Sequence, residues 1–181
     1  MRLANGLIAL EFDDDTGSLV RIEDLRTGVA HLGDPRSGRL LRVVAPDEEN
    51  WIGRYCDSHE SGRPKIEGRA GAATIRYPDL RTPDGQPSGI SATVTVELPE
   101  GSDEARFSAE VRNGGPFLIH EVWCPRIGGW QGCAGPGKDE VTLGNCACAD
   151  PHSLRTAPDA GGYTLCASHR RRFWSLPAAG G

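Results

Sequence analysis

The sequence lacks an excess of basic residues. Its 181 residues contain 20 Lys and Arg against 25 Asp and Glu, so the formal net charge is −5 at pH 7. Binding to DNA or RNA depends largely on basic side chains that neutralise the backbone phosphates. The charge balance therefore makes nucleic acid a poor default partner, whereas 38% hydrophobic residues are enough to build a core.

Long apolar runs are also missing. The N-terminus, Met1-Arg2-Leu3-Ala4-Asn5-Gly6, reaches turn residues before the apolar segment of about 7–15 residues of a signal peptide could form. No stretch approaches the roughly 20 apolar residues of a membrane-spanning helix. We therefore expect no signal peptide, no membrane partner and a cytoplasmic location, in which the six cysteines would stay reduced.

Helical periodicity is equally scarce, whereas turn residues are abundant. Aromatic residues make up only 6% of the chain, but glycine and proline number 24 and 13. No window keeps apolar residues at i, i+3, i+4 and i+7 behind a capping box, as an amphipathic helix would. The composition therefore predicts short strands joined by turns, with little helix.

Two pairs of segments predict antiparallel hairpins. Residues 7–12 and 18–22 carry alternating apolar side chains and flank the turn sequence Asp13-Asp14-Asp15-Thr16-Gly17. The clearest alternation lies in residues 92–98 and 106–112, where every second side chain is apolar. Such alternation is typical of strands with one face in a core and one face in water.

The remaining segments complete the predicted architecture. Further β-compatible runs occur at 40–44, 72–77 and 117–123. Polar, proline-containing residues at 46–64 and 78–89 predict long loops, where binding residues often lie. We predict an all-β fold, an incomplete antiparallel β-sandwich with little helix. Because the strand pattern fades after Gly144, we assign the β-sandwich domain to residues 1–145 and an irregular segment to residues 146–181.

Several short motifs form a recognisable set, namely Asn5-Gly6 with Phe12-Asp13, the turn Thr16-Gly17, Asp24 with Thr27-Gly28, Val111-Arg112-Asn113, and Trp123 followed by Pro125. This set resembles the motifs of the galactose mutarotase-like β-supersandwich domains found in many glycoside hydrolases and polysaccharide lyases. The resemblance covers roughly residues 5–130. These are turn and core residues, so they indicate a fold rather than a reaction.

The resemblance implies a carbohydrate-associated domain. In glycoside hydrolases of this kind the catalytic carboxylates commonly lie in a separate domain, so the chain resembles a non-catalytic N-terminal domain and a fragment of a larger protein. The implied partners are a carbohydrate or the missing catalytic domain, and no cofactor is implied. Two alternatives stay open, namely a small sugar-acting enzyme of the glycosidase or mutarotase type and a defective fragment without activity.

Candidate glycan-binding residues are Trp51, Trp130 and Arg126. Apolar sugar faces pack on aromatic rings, and hydroxyls bind planar polar groups. Trp51 lies in the polar loop at 46–64, and Trp130 follows Arg126 in a glycine-containing segment. Each tryptophan also fits a core or a loop anchor. Trp123, which lies on a predicted strand, is expected to belong to the core.

For the enzyme alternative, the candidate catalytic residues are Glu121 and His120. Glu121 shares strand parity with Ile119 and Trp123, so it is predicted to face an apolar side or a cleft, where a carboxyl has a raised pKa. The other interpretation is an ion pair between Glu121 and a neighbouring arginine, such as Arg112 or Arg126. General acid and base catalysis of glycoside cleavage needs two suitably spaced carboxyl groups.

No metal site is predicted. Asp57, His59 and Glu60 are interpreted as solvated loop charges, and residues 13–15 as a turn rather than a calcium loop. Residues 132–139 nearly match a phosphate loop, but Asp139 replaces the hydroxyl residue and a strand is predicted to follow. The late cysteines and histidines lack the regular spacing of a structural zinc site, as the pair Cys146 and Cys148 illustrates.

Overall fold

A computed structural model describes residues 1–45 and 55–130, together with the backbones of the strands at 141–144, 163–166 and 173–176. The strands in chain order are β1 Arg2–Ala4, β2 Ile8–Phe12, β3 Leu19–Asp24, β4 Val29–Ala30, β5 Arg42–Val44, β6 Tyr55–Asp57, β7 Lys65–Arg69, β8 Ala72–Tyr77, β9 Ile90–Glu97, β10 Arg106–Asn113, β11 Glu121–Trp123, β12 Arg126–Trp130, β13 Val141–Gly144, β14 Tyr163–Cys166 and β15 Phe173–Leu176. Among the described residues the helical elements are two single 3-10 turns, Pro35–Ser37 and Ser58–Glu60. The prediction of an all-β fold with little helix is confirmed.

The first predicted hairpin opens a four-stranded antiparallel sheet in the order β1-β2-β3-β4. The turn is held by Asp13, whose Oδ1 accepts hydrogen bonds from the backbone N–H of Thr16 at 2.7 Å and from its hydroxyl at 2.8 Å. Gly17 then adopts a positive φ of 70°, and a Cβ there would lie 2.3 Å from the Tyr77 hydroxyl. The aspartates at 13–15 therefore act as turn residues, as predicted.

The second predicted hairpin forms the centre of another antiparallel sheet, ordered β10-β9-β8-β7. Val96 lies opposite Phe107, and Val94 lies opposite Ala109. Alternate side chains of β9 are buried, while Thr93 and Thr95 point to the outer face and are half-buried. The register confirms the alternation seen in the sequence, because a shift of one residue would move the apolar side chains to the outer face.

A third sheet, ordered β11-β5-β6, combines segments that are far apart in the chain. Its middle row pairs Val122 with Val43 and Val43 with Cys56, and the latter two side chains are fully buried. The predicted long loop at 46–64 is wrong for residues 55–60, where a strand and a 3-10 turn occur. The strand predicted at 117–123 is shorter than expected, since only β11 pairs.

The three sheets described so far contribute to one core. Its buried members include Leu10 of the first sheet, Val94 of the second and Val43 of the third. Burial of each large apolar side chain stabilises the fold by roughly 1.5–3 kcal/mol. The result is a β-sandwich-like architecture in which the small third sheet keeps one face in the core and turns the other outward.

Strands also occur in the segment that was predicted to be irregular. The strand β14 pairs with β12, and β15 pairs with β13, both antiparallel. Residues 146–181 therefore include at least these two strands. The division of the chain at residue 145 stays a prediction.

Candidate functional site

The outward face of the small third sheet carries a row of polar and aromatic residues. Arg42 lies opposite both Asp57 and Trp123, and the next row on the same face holds Tyr55 and Glu121 on either side of Val44. Strand alternation produces this face, since directly opposed residues in an antiparallel pair project to the same side. We call Arg42, Tyr55, Asp57, Glu121 and Trp123 the polar–aromatic face.

Asp57 is the anchor of this face. Its side chain is only 2% exposed, and it accepts a bidentate pair of hydrogen bonds from Arg42, one of them from Nε to Oδ1 at 2.9 Å. Arg126 donates from Nη1 to the same Oδ1 at 2.7 Å. The two guanidinium groups are themselves mostly buried, with 15% and 12% of their side chains exposed. One carboxylate thus joins β5, β6 and β12.

The two arginines determine the ionisation of Asp57. Burial acts to raise the pKa of this carboxyl, but the hydrogen bonds and positive charges of Arg42 and Arg126 outweigh burial and hold the pKa below its ordinary value. Asp57 therefore stays a carboxylate at neutral pH. It cannot serve as a proton donor there, and its oxygens are already occupied by N–H donors.

Two backbone contacts bring Asp57 and Arg126 together. After β6 the chain turns at Ser58, whose N–H donates to the Leu41 carbonyl at 3.0 Å and whose hydroxyl accepts from the Leu41 N–H at 3.2 Å. The N–H of Arg126 donates to the carbonyl of Leu40 at 2.8 Å. Both segments are therefore tied to the residues that precede β5, which fixes the distance between their charged side chains.

Aromatic rings cover the guanidinium group of Arg42. Its Cζ lies 3.7 Å from the ring centre of Tyr55 and 5.5 Å from the ring of Trp123. Such cation–π contacts contribute about 0.5–2 kcal/mol each, depending on burial. The indole N–H of Trp123 also donates to Oε2 of Glu121 at 2.6 Å. The ring, the cation and the exposed carboxylate are therefore held in a fixed arrangement.

A second group of titratable residues adjoins Asp57. The side chains of Asp57, His59 and Glu60 offer ligand atoms within 4.8 Å of one another, the spacing of a possible metal site. However, both Asp57 oxygens accept from guanidinium groups, and a third arginine, Arg39, lies close enough to influence His59. Three cations oppose a metal ion, so the donor set does not fit one.

His59 is kept neutral by this environment. Burial lowers its pKa, and the positive charge of Arg39 lowers it further, against the opposing effects of Asp57 and Glu60. Its Nε2 lies 3.3 Å from Oε1 of Glu60. The interpretation of 57, 59 and 60 as solvated loop charges is therefore wrong for the first two, because Asp57 is buried and His59 is largely covered.

The candidate catalytic residues occupy exposed positions. Glu121 does not face an apolar side, since its side chain is exposed and accepts a hydrogen bond from Trp123. The predicted ion pair with Arg112 or Arg126 is also wrong, because Arg112 pairs with Glu110 and Arg126 pairs with Asp57. His120 is exposed, and its backbone N–H donates to the Val44 carbonyl at 2.9 Å.

The parity of β11 explains the error about Glu121. Glu121 does share a face with Trp123, as the sequence indicated, but this face packs on Arg42 and not on the core. The opposite face of the small sheet supplies Val43 and Cys56 to the core. For the same reason Trp123, which was expected in the core, lies half-buried beside the charged residues.

The predicted glycan-binding residues are separated by the structure. Arg126 is largely buried and engaged by Asp57. Trp130 is half-buried and stacks on His31 with ring centres 5.4 Å apart. Trp51 lies outside the described residues. Arg126 and Trp130 belong to the same strand, yet only Arg126 contacts the polar–aromatic face, through Asp57.

Glycines set the position of the strand that carries Arg126 and Trp130. A Cβ at Gly128 would lie 1.9 Å from the Ser37 carbonyl oxygen, and Gly129 adopts a positive φ of 76°. The N–H of Gly33 donates to the Gly129 carbonyl at 3.0 Å. The paired glycines therefore allow β12 to approach the segment after β4 closely, which places Trp130 against His31.

Comparison with models of known protein families and with curated proteins finds no match to this chain. The class is therefore defined by the fold alone, as an all-β protein of antiparallel, sandwich-like sheets. Within the described part of the chain, no helix is both long and apolar enough to cross a membrane.

Proposed function

We propose that the chain is a carbohydrate-associated β domain that binds a glycan on the polar–aromatic face. The observation that carries the proposal is the fixed stack of Tyr55, Arg42 and Trp123, bordered by the exposed carboxylate of Glu121. The sequence resemblance to non-catalytic domains of glycoside hydrolases supports the same class of ligand. In this proposal the domain acts within a larger carbohydrate-active protein.

The chemistry of the face suits sugars. A pyranose ring presents a patch of C–H groups that packs on an aromatic face, while its hydroxyls need both donors and acceptors. Trp123 supplies the ring, and Glu121 supplies an acceptor beside it. Asp57 already holds Arg42 in place before a ligand binds. Binding therefore does not have to immobilise this side chain, and such preorganisation favours affinity.

The enzyme alternative receives less support from the same geometry. Asp57 is ionised and hydrogen-bonded to two arginines, which removes it as a general acid. Glu121 and His120 are exposed and remain the candidates for proton transfer. A catalytic role would require measurable hydrolysis of aryl glycosides or sugar anomerisation by the 181-residue chain, lost in Glu121→Gln.

The binding proposal is tested by calorimetric titration of the chain with a panel of neutral oligosaccharides. We expect Trp123→Ala to raise the dissociation constant of the best ligand by about tenfold or more, which corresponds to a loss of about 1.4 kcal/mol of binding free energy. The control is Thr95→Ala, which lies on the outer face of the β7–β10 sheet and should bind as the parent does.

The outcome also decides between two tryptophans. Trp130→Ala tests the residue that the sequence suggested, and in this proposal its effect is smaller than that of Trp123→Ala because Trp130 is stacked on His31. If no neutral oligosaccharide binds the parent chain, or if Trp123→Ala binds as well as the Thr95→Ala control, the proposal is wrong.

A further inference from the structure

A second surface with features of a ligand site lies on the outer face of the β7–β10 sheet, in a groove of about 890 Å³. We call it the basic groove, and its basic members are Arg63, Lys65, Arg76 and Arg112. The hydroxyls of Ser91 and Thr93 lie in its floor, together with the acidic Glu110. A cavity of this size falls within the range that holds small organic ligands.

Strand pairing sets the spacing of the groove's cations. Arg76 lies opposite Thr93, and Arg112 lies opposite Ser91, two residues before Thr93 in β9. With neighbouring strands about 4.8 Å apart and residues rising about 3.4 Å along each strand, the Cα atoms of the two arginines are roughly 12 Å apart. The hydroxyl residues Ser91 and Thr93 lie on β9, between the two strands that carry these arginines.

The basic groove differs from the protein as a whole in its charge. The chain carries a net charge of −5, whereas this surface gathers four cations against three acids, Asp15, Glu67 and Glu110. Acids nearby do pair with these cations. Lys65 Nζ lies 2.8 Å from Glu67, which also accepts from Arg76. Arg112 pairs with Glu110 at 2.8 Å, and Arg63 Nε lies 3.5 Å from Asp15.

These ion pairs leave the groove able to bind an anion. Both partners of each pair are substantially exposed, and exposed ion pairs are weak. A guanidinium group has five N–H donors, and the acids use only one or two of them on Arg76 and Arg112. The remaining donors have the planar fork geometry that matches a carboxylate.

We propose that the basic groove binds the carboxylates of an acidic glycan, with Arg76 and Arg112 contacting sugar carboxylates and with Ser91 and Thr93 contacting hydroxyls. The ligand is taken to be extended, because Arg76 points to Glu67 on β7 and Arg112 to Glu110 on β10, on opposite sides of β9. The inference rests on the proposed function only in taking the ligand to be a glycan. It does not use the polar–aromatic face.

The test is titration of the full chain with oligogalacturonate at low salt. We expect the double variant Arg76→Gln/Arg112→Gln to have a dissociation constant about tenfold higher than the parent's, or more. Added salt should also weaken binding by the parent. The matched control is Arg26→Gln/Arg36→Gln, which removes the same charge from two exposed arginines that also pair with carboxylates, here those of aspartates. The control should keep the parent's affinity.

A third variant tests the role of the floor acid. Glu110→Gln removes a carboxylate that competes for Arg112, so this variant should bind oligogalacturonate more tightly than the parent. Weaker binding would show that Glu110 orders the arginine for the ligand, and would contradict competition at this position. Equal affinities of the groove variant and the matched control would overturn the proposal.

Further ligands separate the classes of anion. A sulfated oligosaccharide of similar charge that binds more tightly than oligogalacturonate would overturn the assignment to carboxylates, and polyglutamate that binds equally well would overturn the assignment to a glycan. Failure of acidic glycans to bind the basic groove can be distinguished from failure of the proposed function. Neutral oligosaccharides report on Trp123 and should bind the Arg76→Gln/Arg112→Gln variant as they bind the parent.

Discussion

The outer faces of two sheets carry the same types of charged residue in opposite settings. On the small third sheet, Arg42, Asp57 and Arg126 form a network in which each side chain is at least largely buried. On the β7–β10 sheet, Arg76 and Glu67 form an ion pair with 46% of each side chain exposed. Burial thus separates a charge that fixes the structure from a charge that remains available to solvent.

The difference follows from solvation. A buried carboxylate has lost its water and depends on its partners, so removal of one partner leaves a charge that nothing compensates. An exposed carboxylate exchanges its partner for water at little cost. We therefore expect substitutions in the network of Asp57 to change the stability of the fold, and substitutions on the β7–β10 sheet to change binding alone.

The largest expected effect is that of Asp57→Asn. The substitution keeps the shape of the side chain but leaves two mostly buried guanidinium groups without their counter-charge. Loss of one member of a buried ion pair typically costs about 3–5 kcal/mol, and we expect the free energy of unfolding to fall by this order. Urea denaturation followed by tryptophan fluorescence measures the change.

The matched comparison is Glu67→Gln, which also removes one carboxylate that accepts from an arginine. If the two variants lose the same stability, the buried network contributes no more than an exposed pair, and the contrast between the two sheets disappears. The same experiment bears on the site, since Asp57 clamps Arg42 beneath the ring of Trp123.

A smaller effect is expected from the pH dependence of stability. His59 has a lowered pKa because it is buried and lies near Arg39, whereas in the unfolded chain it titrates near its ordinary 6.5. The unfolded chain therefore binds a proton that the folded chain does not, as the pH falls below 6.5. Stability decreases in this direction and is recovered as the pH rises above 6.5.

Unfolding experiments between about pH 8 and about pH 5.5 test this dependence. The control is His59→Gln, which should lose the part of the slope that His59 contributes while it keeps the contributions of other groups. If the pH dependence of stability were unchanged in His59→Gln, the imidazole would titrate alike in the folded and unfolded chains. This result would contradict the lowered pKa of His59 in the folded chain.

The sequence allowed prediction of the strands that alternate locally but not of the site they build. Ala92, Val94 and Val96 show their burial by spacing alone, and the turn at Asp13 is determined by its own neighbours. Nothing in the local sequence indicates that Arg42 lies opposite both Asp57 and Trp123. That row depends on long-range pairing, whose register is set by the core positions of Val43 and Cys56.

The same limit explains why Asp57 was misinterpreted. Its neighbours in sequence, Ser58, His59, Glu60 and Ser61, are all polar, which favours a solvated loop. Its neighbours in space are the arginines of two other segments. A useful signal was the order Tyr55-Cys56-Asp57, a short alternation about a buried cysteine, but three residues are too few to establish a strand.

The smallest effect on stability is expected on the exposed side of the comparison. The hydrogen bonds of Lys65 and Arg76 lower the pKa of Glu67 to about 2. Because Glu67 is exposed, salt should screen its attraction to Lys65 and Arg76 and raise its pKa towards the ordinary 4.5. NMR titration of its side-chain carboxyl at low and high salt measures the shift, and Glu67→Gln should lower the unfolding free energy far less than Asp57→Asn does. For Asp57 the low pKa should persist at high salt, since its arginines are buried with it. If salt shifted the pKa of both carboxyls equally, solvent would reach both groups alike, and this would contradict the burial of Asp57.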